Sequence, residues 1–67
     1  MKKDIRFGTL AVERSMVTQR QLGIAVSIQM KEDLNDNLHR FLGEILVELG
    51  FMDMFQVKEI LKRQSRL

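Results

Sequence analysis

Apolar side chains recur three and four positions apart along almost the whole chain, the spacing that lines one face of an α-helix rather than alternating across a strand. From Phe41 to Leu49 the stripe is formed by Leu42, Ile45, Leu46 and Leu49, at i, i+3, i+4 and i+7. Gly50 ends that helix, because the residue just past a helix C-terminus commonly takes a left-handed conformation that glycine adopts without a Cβ penalty. A second helix starts at once. The Asp53 carboxylate can accept from free first-turn amides, while Gln56 reaches back to the Asp53 amide, a capping box. Met52 and Val57 are placed as a hydrophobic staple, and Val57, Ile60 and Leu61 continue as a second buried stripe. Residues 41–64 therefore read helix, tight turn, helix.

Displaced by 35 residues, the same pattern covers residues 6–29. Gly8, Val12, Glu13, Gln21 and Gln29 coincide with Gly43, Val47, Glu48, Gln56 and Gln64. Thr18 and Gln21 form the matching capping box, Val17 and Leu22 the matching staple, and Phe7, Leu10, Ala11, then Leu22, Ala25 and Val26, the matching stripes. Between the copies, the polar run from Lys31 to Asn37 predicts a loop inside a linker of residues 30–40, with the break at Asn35 to Asn37. A hairpin of two short helices cannot cover its own apolar stripe. The expected fold is therefore all-α: one domain, residues 1–67, of four short helices in two tandem helix-turn-helix hairpins packed face to face.

Composition narrows the function. At 67 residues the chain can bury only roughly 60% of its unfolded surface, so one thin core is expected. Eleven basic residues against 9 acidic ones leave a net charge of +2, too small and too scattered to mark a nucleic-acid surface. A DNA-reading helix-turn-helix is a remote alternative, since Arg14, Arg20, Arg40, Lys58, Lys62, Arg63 and Arg66 do not gather on one recognition helix. Cysteine is absent, and the lone His39 reads as a solvated surface residue, so no metal site is expected. Ser15, Ser27 and Ser65 lack histidine–acid partners and there is no glycine-rich phosphate loop, which argues for a binding module and against an enzyme. The N-terminus begins like a signal peptide, but Arg6, Glu13 and Arg14 interrupt any apolar region. No apolar run approaches the ~20 residues of a membrane span, so a cytoplasmic protein without membrane insertion is expected.

The run from Leu42 to Gly50, followed by Gln56 and Gln64, resembles the repeat in the N-terminal domain of type II secretion and type IV pilus assembly ATPases. That repeat opens on Arg-Leu-Gly, continues through Leu-Val, a glycine and aliphatic residues, and closes on glutamine; the family carries it twice. In members of the MshEN type the resemblance implies binding of cyclic di-GMP, with no other cofactor. Carried over residue by residue, the ligand set is Arg6, Gly8 and Gln29 from the first copy and Gly43, Gly50 and Gln64 from the second. A guanidinium can fork onto phosphate or a guanine edge, a side-chain amide both donates and accepts, and glycine admits close backbone approach. This chain departs from the pattern where Phe41 replaces the second opening arginine, with Arg40 one step earlier. Ser15 replaces the first copy's second glycine, and a serine resists positive φ there. Ala11-Val12 stands for Leu-Val, and the spacer from Met30 to Arg40 is longer than the family's.

Each nominated residue also has a plainer reading. Arg6 can be a solvated arginine, Gln29 and Gln64 can cap the neighbouring hairpin's backbone, and Gly8 and Gly43, costly inside a helix by about 1 kcal/mol, can admit a partner helix. Ile24 and Phe55 point away from their helices' core stripes, and Phe55 with Met54 and Phe51 is expected to form an exposed apolar patch. Ile24, Met54 and Phe55 are thus the candidate partner-binding residues. Two functions follow: a regulatory or adaptor module sensing cyclic di-GMP, or a protein-interaction module with a degenerate ligand motif. The partner would belong to a secretion or pilus system, or be a second copy in a homodimer.

Overall fold

The computed structural model describes residues 2–35 and 39–65, and all the secondary structure among them is helical. The four helices are α1 (Lys2–Glu13), α2 (Gln19–Asn35), α3 (Leu42–Glu48) and α4 (Met54–Ser65). α3 packs against both α1 and α2, and α4 packs on α1, so the main contacts run between the hairpins, which meet face to face.

The two turns are built alike, one hydrogen bond after another. In the first, the Arg14, Ser15 and Met16 amides donate to the Leu10, Val12 and Ala11 carbonyls at 3.0, 2.9 and 2.9 Å; in the second, Leu49, Gly50 and Phe51 donate to Ile45, Val47 and Leu46 at 2.9, 3.0 and 2.9 Å. Both are Schellman endings, which satisfy the last carbonyls of a helix by a 6→1 and a 5→2 bond around one left-handed residue. That residue is Gly50 at φ 80° and Ser15 at φ 61°. Ser15 thus takes the positive φ that its side chain was expected to resist, because the matched bonds around it hold the turn and the strain is only about 1–2 kcal/mol.

Both capping boxes form as the spacing predicts. The Thr18 hydroxyl accepts from the Gln21 amide, and the Gln21 side chain accepts from the Thr18 amide, each at 3.0 Å. Asp53 and Gln56 repeat the exchange at 2.8 and 3.0 Å.

Three expectations need correction. The polar run is not loop from Lys31 to Asn35: α2 continues through it, since polar side chains on an exposed helix face do not interrupt a helix. Of the expected break, Asn35 is the last residue of α2, and Asp36 and Asn37 lie outside the described residues. Leu61 is not in the core but 52% exposed, because α4 leans chiefly on α1 and only the narrow line through Val57 and Ile60 is covered. Phe51, expected in the exposed patch, is half-buried and packs on the core. That core joins Phe7, Ala11, Val17 and Ala25 from the first hairpin to Leu42, Ile45, Leu46, Met52, Val57 and Ile60 from the second.

Candidate functional site

Two of the three helix glycines, Gly8 and Gly43, seat apolar side chains, whereas Gly23 on α2 faces open space. A Cβ at Gly43 would stand 3.0 Å from Phe7 Cζ, and one at Gly8 would stand 2.7 Å from Leu22 Cδ1 and 3.3 Å from Leu42 Cδ1. Phe7 and Leu42 are equivalent positions of the two repeats, so α1 and α3 interlock reciprocally: Phe7 covers Gly43 and Leu42 covers Gly8. The close approach that Gly43 permits is that of the partner helix, and Gly8 admits both Leu42 and, closer still, Leu22 of α2.

The closing glutamines are engaged in tertiary hydrogen bonds. Gln29 Nε2 on α2 donates to Asp4 Oδ2 at 2.6 Å and to the Arg40 carbonyl at 2.8 Å. Gln64 Nε2 on α4 donates to the Lys3 carbonyl at 2.6 Å. Gln29 thus ties the end of the first repeat to α1 and to the residue before the second repeat, and Gln64 ties the end of the second repeat to the start of α1. Asp4 also accepts from the Leu42 amide at 2.9 Å, so a carboxylate of α1 caps one of the free first-turn donors of α3. Glu44 accepts from the Phe41 amide at 3.0 Å, and Phe41, with no acceptor in its side chain, leaves the rest of that cap to Asp4.

Arg40, one step before the second copy's opening position, is engaged within the chain. Its guanidinium forks onto Glu32 at 3.0 and 2.6 Å and reaches Glu48 at 3.0 Å, pinning α2 to α3. The hydrogen bond from Arg40 holds the Glu32 carboxyl below its ordinary value, and the bonds to Glu32 and then Glu48 push Arg40 up, so Glu32 and Arg40 both stay charged at neutral pH. His39 is exposed, with Nδ1 3.1 Å from the Asp33 carboxylate and its ring edge-on to Phe41. Sequence reasoning missed the structural roles of Asp4, Glu32 and Glu48. Asp4 lies 38 residues from Leu42, and no local spacing announces such a contact.

The six residues nominated for a ligand are not brought to one place. Arg6 is exposed on α1 and shares a shallow depression with Lys3, Leu61, Gln64 and Ser65. Gly43 and Gln64 line the adjoining cleft between α1, α3 and α4, an open space of about 270 Å³ whose walls include Phe7, Phe41, Val57 and Leu61. Gly8 and Gln29 are occupied between helices, and Gly50 sits exposed in the α3–α4 turn.

The candidate partner residues are all exposed: Ile24 42%, Met54 55% and Phe55 85%. Phe55 borders a depression on the outer face of α4 with Lys58, Glu59, Leu61, Lys62 and Ser65. Ile24 stands apart on α2, whose packing partners are α3 and α1. Among the described residues no helix is long and apolar enough to cross a membrane, and no group of His, Asp or Glu side chains is arranged to hold a metal ion. Comparison with protein-family models, with curated proteins and with solved structures gave no match to this chain.

Proposed function

We propose that this chain is a small helical adaptor that acts by binding and not by catalysis, and that it docks on a protein through the outer face of α4 with Phe55 as the anchor. One contrast carries this reading: Phe55 stands 85% exposed, whereas Gln29, Gln64, Gly8 and Gly43 are committed to holding the two hairpins together. Aromatic side chains that fill a pocket on a partner are the usual energetic centres of such surfaces. The likeness of the repeat to the N-terminal domain of secretion and pilus ATPases makes a cytoplasmic component of such a machine the first partner to try.

A second reading keeps cyclic di-GMP as ligand. It is favoured by Lys3, Arg6 and Gln64 lying around one depression, two cations and an amide that suit a phosphate. Two measurements separate the readings. A photo-crosslinking residue placed at position 55 should capture a protein partner in the cell, while the same residue at position 24 should not. Calorimetric titration of cyclic di-GMP should give no heat; micromolar or tighter binding that disappears in Arg6→Ala would replace protein docking with second-messenger sensing.

A further inference from the structure

We propose that the outer face of α4 pairs with the same face of a second copy of this chain, the two helices antiparallel about a two-fold axis between Lys58 and Glu59. The inference rests on α4 being the docking face and names what docks there. Phe55, Lys58, Glu59 and Lys62 fall at i, i+3, i+4 and i+7, a single stripe on the side of α4 opposite the buried Val57 and Ile60. All four are exposed, and among the described residues Lys58, Glu59 and Lys62 take part in no ion pair.

The order of charges along that stripe is self-complementary. In an antiparallel pair centred between positions 58 and 59, Lys58 faces Glu59 of the second copy and Glu59 faces its Lys58. Phe55 then faces Lys62, whose ammonium and aliphatic stem suit an aromatic ring. One helix so supplies both halves of every contact, as an isologous two-fold interface requires. The neighbouring registers are disfavoured by charge: centring on position 58 sets lysine against lysine, and centring on 59 sets glutamate against glutamate. A foreign acidic helix would suit the two lysines but oppose Glu59, a mismatch that self-pairing avoids.

Sedimentation of the whole chain over a concentration series tests this. The wild type should associate to a dimer. Lys58→Glu and Glu59→Lys should each weaken association by roughly tenfold, about 1.4 kcal/mol, because each sets like charges face to face twice. The double variant, with both charges exchanged, should recover the wild-type constant. Phe55→Ala should weaken association with its helical circular dichroism unchanged, which separates loss of pairing from loss of folding. A wild type that stays monomeric throughout the series, or a double variant that fails to recover, overturns the pairing. A monomer that still crosslinks to another protein through position 55 refutes the second copy while leaving α4 as the docking face.

Discussion

The two hairpins share a backbone frame and divide the core volume unequally. Ile45, Leu46 and Ile60 are the largest fully buried side chains; their counterparts 35 residues earlier are Leu10, Ala11 and Ala25. Ala11 and Ala25 are wholly buried but small, and Leu10 is only partly buried. The second hairpin thus fills the space that the first leaves open, and this complementarity lets two short repeats make one core. The turns had no such freedom. A Schellman ending and a capping box are satisfied by a few hydrogen bonds at fixed offsets, so both copies retain them, even where serine stands at the left-handed position.

The division of volume is most exposed to truncation of the large partner. Ile45→Ala should cost about 2–5 kcal/mol in urea unfolding, whereas Leu10→Ala should cost less than half as much, since less of that side chain is withdrawn from water. Equal losses would mean that the hairpins contribute alike. The reciprocal seats of α1 and α3 provide a narrower probe. Gly43→Ala should destabilise by about 1–2 kcal/mol, because the new methyl meets the rigid Phe7 ring. Gly8→Ala should cost less, as the tip of Leu22 can rotate aside and alanine recovers about 1 kcal/mol of helix propensity. A Gly8 variant that unfolds at the lower temperature would reverse the assignment of the tighter seat.

The turns should yield the smallest effects, of opposite sign. Ser15→Gly should stabilise by roughly 0.5–1 kcal/mol and Gly50→Ala should destabilise by a similar amount, both through the cost of a Cβ at positive φ. Thermal melting of the pair decides it: a Ser15→Gly protein that melts lower than the wild type would show that the serine side chain contributes more to its turn than the strain removes.

Much of this was legible along the chain. The four helices, both capping boxes, the ending of α3 at Gly50 and the exposure of Phe55 follow from spacings of a few residues, and interactions that close within one turn depend on local sequence. The length of α2 was not legible, because a polar run is equally consistent with a solvated helix face and with a loop; α2 continues to Asn35. Nor was the fate of the nominated ligand residues. Whether Gln29 meets a ligand or Asp4, and whether Gly43 admits a dinucleotide or Phe7, depends on which helices meet and at what height. That choice was made by tertiary packing, where two incomplete apolar stripes are covered only by each other and every side chain between them takes the partner that this contact supplies.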